Sequence, residues 1–264
     1  MPVAVITGAA SGIGAGLARE AARRGMQVVL ADRDAAALAI VASEIGDNAV
    51  CVLTDVTNLA AVEELADQVY RRFGAVDLLF NNAGVMTTGL SWEIPADKWV
   101  ASWQVNVDGI LNGLRAFVPR MIAADRPARI INTASVGGFL PSPLMAPYSA
   151  TKFAAVALTE ALAGELKMMG SKIEVSLLAP GPVKSRIFRE TPPEAAQPFH
   201  DMLTSMLDEN GLEPDAFAAR VFDAIERGEY WIIPQPEAFD DGFAARNESI
   251  TKRLPPQFYG AEGN

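Results

Sequence analysis

Cysteine and histidine each occur once in the 264 residues, as Cys51 and His200. A single thiol excludes an internal disulfide and any cysteine-based metal cluster, and no metal site is expected. His200 lies in a polar, proline-bounded stretch with no nucleophile motif to match it, so Ser-His-Asp hydrolysis is not expected and the residue reads as a surface histidine. Basic residues are also in deficit: 22 Lys and Arg against 32 Asp and Glu leave a formal charge of -10. Such a surface repels phosphate backbones and acidic lipid, so neither nucleic acid nor an anionic membrane is an expected partner. No uninterrupted apolar run reaches the roughly 18 residues of a membrane-spanning helix. The first residues lack the charged head and apolar core of a signal peptide, and a cytoplasmic protein is expected.

What the chain does contain is regular alternation. Half of its residues are hydrophobic, enough for a single α/β domain over 1–264. A β-rich run at 3–7 enters Gly8-Ala9-Ala10-Ser11-Gly12-Ile13-Gly14, a helix is expected over 15–24, and a second strand over 27–31 completes a βαβ unit. Helices at 35–44, 59–73, 97–120 and 148–170 then alternate with strands at 49–53, 77–80, 129–133 and 173–178. This order predicts a doubly wound parallel sheet with its ligand outside the carboxyl ends of the strands. The polar residues that stand out fall at those ends. A glycine turn at a helix N-terminus offers backbone N–H groups to a pyrophosphate, although the spacing G-x3-G-x-G departs from the commonest fingerprint. Asp32, at the end of the second strand, is placed to bind an adenosine ribose and to repel a 2'-phosphate; capping the helix from Ala35 onward is the lesser alternative. Tyr148 and Lys152 stand at i and i+4, where an ammonium could favour a phenolate for proton transfer. The same pair also fits an exposed helix with a lysine on it. Asn106 lies in an apolar setting, Trp103-Gln104-Val105-Asn106-Val107, where a buried amide needs a hydrogen-bonding reason. Cys51 reads as a core residue of the third strand, and Trp92, Trp99 and Trp103 as packing for a helix and its lead-in loop.

In their order and spacing, Thr7-Gly8-Ala9-Ala10-Ser11-Gly12-Ile13-Gly14, Asp55-Val56, Asn81-Asn82-Ala83-Gly84, Asn106, Ser135, Tyr148 with Lys152, and Pro180-Gly181-Pro182-Val183-Lys184-Ser185 together resemble the short-chain dehydrogenase/reductases over about residues 3 to 190. The resemblance implies a seven-stranded sheet in the order 3-2-1-4-5-6-7, with the last strand at 230–233. It implies that Tyr148 is the general acid/base and that Ser135 holds the substrate oxygen. Lys152 would lower the Tyr148 pKa and bind the nicotinamide ribose, and Asn106 would hold a water linking Lys152 to solvent. Gly8, Ser11, Gly12, Ile13, Gly14, Asp32, Arg33, Asp55, Val56, Asn82, Ala83, Gly84, Tyr148, Lys152, Pro180, Gly181, Val183 and Ser185 would line the cofactor. Asp32, with Ser11 in place of a basic residue, favours NAD; Arg33 is the one feature pointing to NADP. The expected activity is hydride transfer between NAD and a secondary alcohol or ketone. The alternatives are an NADP-dependent ketone reductase and a catalytically silent nucleotide-sensing regulator.

Specificity is expected from residues 186–211, read as an apolar lid with a short helix carrying Phe199, Met202, Leu203, Met206 and Leu207. Trp92, Leu140, Met145 and Val183 would complete a pocket better suited to a bulky, aromatic or alicyclic alcohol than to a sugar or charged acid. Several stretches are similar to the bacterial dehydrogenases that oxidise the benzylic alcohol of lignin-derived aryl ethers. These are 211–215, 228–237, Phe117-Val118-Pro119-Arg120-Met121-Ile122 and Gly137-Gly138-Phe139. A final helix over 238–254, in a tail over 234–264, is expected to cover a sheet edge or a neighbouring subunit. Small residues around the Tyr148 helix fit close packing, and the family resemblance implies a homodimer or homotetramer through it and the 97–120 helix.

Overall fold

The computed structural model describes residues 1–185, 187–188 and 192–256. In chain order the elements are β1 (Val3–Thr7), α1 (Gly12–Arg23), β2 (Gln27–Asp32), α2 (Ala35–Ile45), β3 (Ala49–Leu53), α3 (Leu59–Phe73) and β4 (Leu78–Asn81). They continue with α4 (Ala96–Trp103), α5 (Gly109–Ala123), β5 (Ala128–Thr133), α6 (Ala146–Met168), β6 (Ile173–Leu178), α7 (Gln197–Asn210), α8 (Pro214–Glu226), β7 (Trp231–Ile232) and α9 (Pro236–Lys252). All strand pairings are parallel and the order is β3-β2-β1-β4-β5-β6-β7, as the resemblance implies.

Period-two alternation explains the layering. In β1, Ala4 and Ile6 face a core with Leu17, Phe217 and Phe222, while Val3 and Val5 face one with Leu65, Phe117 and Leu162. Both faces are thus covered by helices, which is why the strands read as continuous apolar runs. On the first face α8 lies so close to α1 that a Cβ on Gly16 would stand 2.4 Å from the Pro214 carbonyl oxygen. This helix was not expected as a separate element.

The expected 97–120 helix is instead two α-helices joined by a π-helical turn, Gln104–Asp108, in which the Gly109 N–H bonds the Gln104 carbonyl five residues back. The extra residue re-registers the helix and puts Asn106 inside, fully buried. Three other expectations are corrected. Cys51 is exposed, because β3 is an edge strand and α2 covers this residue only in part, with its Sγ 3.6 Å from the Leu38 carbonyl oxygen. His200 is largely covered rather than on the surface, because α7 turns its ring edge-on against Phe188 with centroids 5.6 Å apart. Trp92, in the turn before α4, and Trp103, at the end of α4, are exposed at 79% and 41%, since no described residue covers either of them fully. No helix of the described residues is long and apolar enough to cross a membrane.

Candidate active site

The carboxyl ends of the strands open into a cavity of about 880 Å³ that runs from Asp32 past the glycine turn to Tyr148, roofed by α7 and α9. Every residue expected at the cofactor lines it; among the other named residues, Asn106 and Trp92 do not. Trp92 is exposed and is no part of the pocket lining, whereas Leu140, Met145, Phe199, Met202 and Met206 are. Of the expected lid over 186–211, Arg186 and residues 189–191 lie outside the described residues, as do 257–264 of the tail.

The dinucleotide end is built from backbone. Gly8 and Gly12 take φ of +68° and +52°, and a Cβ on Gly14 would fall 2.1 Å from the Gly8 carbonyl oxygen, so only glycine permits this turn. Ser11, the N-cap residue of α1, makes no side-chain cap, which leaves first-turn N–H groups for an anion in the cavity. These features fit the pyrophosphate of a dinucleotide. Asp32 accepts from the Ala10 N–H at 3.1 Å and from the Asp34 N–H at 3.1 Å, bracing the turn. The cap of α2 is Asp34, which accepts from the Ala37 N–H at 3.0 Å, so the capping role does not fall to Asp32. Asp55 is held in a local turn by the Thr57 N–H and hydroxyl at 2.9 and 2.8 Å. The Val56 carbonyl is fixed by buried Asn112 at 2.8 Å.

The floor hangs on Thr7. Its hydroxyl accepts from the Asn82 and Ala83 N–H groups at 2.9 and 3.2 Å, and the Asn82 amide donates to the Thr7 carbonyl at 2.9 Å. Asn81 points the other way, donating to Asn132 at 2.9 Å in a buried chain that continues to Thr159. Gly84 then passes between Asn106 and Lys152: a Cβ there would stand 3.4 Å from Asn106 Oδ1 and 3.5 Å from Lys152 Nζ. Asn106 accepts from the Val85 N–H at 2.8 Å and donates to the Val85 carbonyl at 3.0 Å and the Thr151 hydroxyl at 2.9 Å. Both amide hydrogens are therefore engaged, and a water toward Lys152 could bind Asn106 only through oxygen lone pairs.

Tyr148 and Lys152 stand one turn apart on α6, both buried. Burial pushes the Tyr148 phenol above its ordinary pKa, and hydrogen bonding with Ser135 works against that rise. Lys152 is anchored to the backbone. Its ammonium donates to the Thr133 carbonyl at 2.9 Å and lies 5.6 Å from the Tyr148 ring centroid, and desolvation depresses its own pKa to about 8. Ser135 Oγ is oriented by the Gly137 N–H, which donates to it at 3.0 Å.

Sequence reasoning missed the backbone partner Thr133, the amide support Thr151 and the whole contribution of α9. That helix places Phe239, Gly242, Arg246 and Ser249 on the cavity wall. Phe239 lies so tightly on the loop after β6 that a Cβ on Gly181 would come 2.4 Å from its ring, and Gln235 donates to the Pro182 carbonyl at 3.1 Å. The tail thus closes the chain's own cavity. The spacing of these residues, three to four apart, was the signal available for it.

Residues 2–196 match the short chain dehydrogenase family. A short chain dehydrogenase/reductase from Burkholderia phymatum, solved in complex with NAD, superposes with a TM-score of 0.93 at 37% identity, covering 97% of this chain and 96% of that one. The C alpha-dehydrogenase of a Sphingobium species is 34% identical over 99% of this chain and 89% of its own. A CLA biosynthesis dehydrogenase/reductase from Lactiplantibacillus plantarum is 32% identical over 89% and 88%. The likeness to a C alpha-dehydrogenase therefore extends along 99% of this chain. The protein belongs to the short-chain dehydrogenase/reductase family of oxidoreductases.

Proposed function

We propose that the protein transfers a hydride between NAD and a secondary alcohol or ketone with a bulky, largely apolar body, with Tyr148 as general acid/base. The observation that carries this reading is the convergence of the Tyr148 phenol, the Ser135 hydroxyl and the Lys152 ammonium at one end of a cavity whose other end is an uncapped helix N-terminus beside Asp32. A nicotinamide, when bound, supplies the hydride acceptor or donor. The chain's own residues then have three tasks. Ser135 orients the substrate oxygen, Tyr148 moves its proton, and Lys152 stabilises negative charge on the phenol oxygen.

The test is NADH formation with NAD and, separately, NADPH formation with NADP, over aromatic, alicyclic and aliphatic secondary alcohols. Benzylic alcohols of aryl ethers belong in the panel because of the similarity to a C alpha-dehydrogenase. Absence of turnover with every alcohol and matching ketone would sink the reading.

Asp32 should decide between the dinucleotides. Asp32→Asn keeps an oxygen for the Ala10 N–H but removes the charge that repels a 2'-phosphate. The ratio of kcat/KM for NADP over NAD is expected to rise about 30-fold, the equivalent of roughly 2 kcal/mol of relieved repulsion. Steady-state kinetics with both cofactors checks this; an unchanged ratio would return the choice to Arg33.

We also infer a homodimer or homotetramer. Val100 and Trp103 expose apolar surface on α4, and α6 presents Ala157, Ala161 and Gly164 uncovered. Sedimentation velocity at micromolar concentration should give at least twice the chain mass, and Trp103→Glu should lower it; a monomeric parent protein would contradict the inference.

A further inference from the structure

The apolar pocket expected from the sequence is not apolar throughout. Two polar side chains on its wall have no partner that explains them. Ser149 follows Tyr148 on α6, is 5% exposed and lines the cavity, yet its hydroxyl makes no hydrogen bond. Serine and threonine inside helices ordinarily bond a preceding carbonyl. On this same helix Thr151 and Thr159 do so, to the Tyr148 and Ala155 carbonyls at 2.8 and 2.6 Å. Arg246, on α9, lines the same cavity and lays its guanidinium over the Phe153 ring, 5.0 Å from the centroid. No carboxylate lies against it among the described residues, although acids outnumber bases in this chain. Arg24 and Arg129, also largely covered, each pair with carboxylates.

The two groups belong to one patch. Ser149 and Phe153 are four residues apart on α6 and share a face, so the guanidinium stacked on Phe153 stands on the same side of α6 as the Ser149 hydroxyl. Around the rest of the substrate end the wall is mostly apolar, with Leu140, Met145, Phe199, Met202 and Met206 beside the hydroxyls of Ser142 and Ser249. One hydroxyl donor and one planar cationic fork match a group with a single negative charge and two acceptor oxygens. We infer that Arg246 and Ser149 form a subsite for a carboxylate carried by an otherwise apolar alcohol or ketone. This replaces the expectation that the pocket disfavours an acid. It rests on the proposed function for the reacting end, where Tyr148 adjoins Ser149.

The experiment is calorimetric titration of 4-acetylbenzoate and of its methyl ester into the protein, with and without NADH. The carboxylate should bind at least about tenfold tighter than the ester, as expected for a charge-assisted hydrogen bond. Arg246→Met should bring the ratio to near one, and Ser149→Ala should reduce it by about threefold. Arg246→Lys, which keeps the charge but loses the fork, should retain part of the preference. Lys252→Met, on the same helix but paired with Glu248, should keep the full ratio and serves as the control for charge removal. A parent protein without the preference, or an Arg246→Met variant that retains it, would overturn the subsite. So would a variant that weakens NADH instead, since Arg246 would then serve the dinucleotide. Turnover of the same two compounds is followed separately. Preferential binding without turnover would leave the subsite standing and sink the proposed reaction; turnover without preference would do the reverse.

Discussion

Tyr148→Phe should lower turnover about 10³-fold, the contribution expected of a positioned general acid/base, while NADH still binds. The phenylalanine keeps the ring that fills the space beside Ser135 and Gly137, where a Cβ on Gly137 would touch the Tyr148 ring at 3.4 Å, so the fold is not disturbed. What is lost is the phenol hydroxyl, whose pKa near ~10 suits proton exchange with an alcohol far better than the aliphatic hydroxyls of Ser135 and Ser149. The pH dependence follows from the same residue. Burial raises the Tyr148 pKa, so the phenol is protonated at neutral pH and must lose its proton before it can accept one from an alcohol. Alcohol oxidation in the parent protein should therefore climb as pH rises above neutrality, and ketone reduction should fall. Fluorescence titration with NADH and pH-resolved initial rates measure both halves. A variant that turns over at parental rates, or one that no longer binds NADH, would remove Tyr148 from the role of base.

The reacting centre was legible because its chemistry is local. Tyr148 and Lys152 share one helix turn, and the glycine turn reads directly onto the start of α1. The strands were legible for the related reason that burial on both faces writes uninterrupted apolar runs. What escaped depends on contacts between distant parts of the chain. Lys152 is anchored by a backbone carbonyl, that of Thr133, and carbonyls leave no mark in a sequence. The π-turn around Asn106 inserts one residue into a pattern that otherwise reads as a continuous helix. Trp92 was placed in the pocket on hydrophobicity alone, which does not say which large side chains find a partner. Arg246 is the converse: a charged residue in a tail reads as solvated until α9 is seen lying across the β6 loop.

Lys152→Met should cost about 10²-fold in turnover, and it should also change how stability responds to pH. Desolvation holds the folded Lys152 pKa at about 8, against an ordinary 10.5. Below pH 8 both folded and unfolded chains carry the proton, and the full cost of the buried charge is present. Between about 8 and 10.5 the unfolded chain binds more protons than the folded one, so stability rises with pH through this window. Above it the difference vanishes. From pH 7.5 to 9.5 the parent should gain about 2 kcal/mol relative to the variant. That slope is the decisive reading, because the sign of the difference at one pH is not. Removing the ammonium ends a desolvation cost but also leaves the buried Thr133 carbonyl without its donor, a penalty of about 1–3 kcal/mol in the opposite direction. Urea unfolding of both proteins at the two pH values separates these effects, since the orphaned carbonyl does not titrate. Parallel pH profiles would mean that Lys152 keeps an ordinary pKa in the folded protein. Its charge would then not be held at a cost beside Tyr148, ready to stabilise a phenolate.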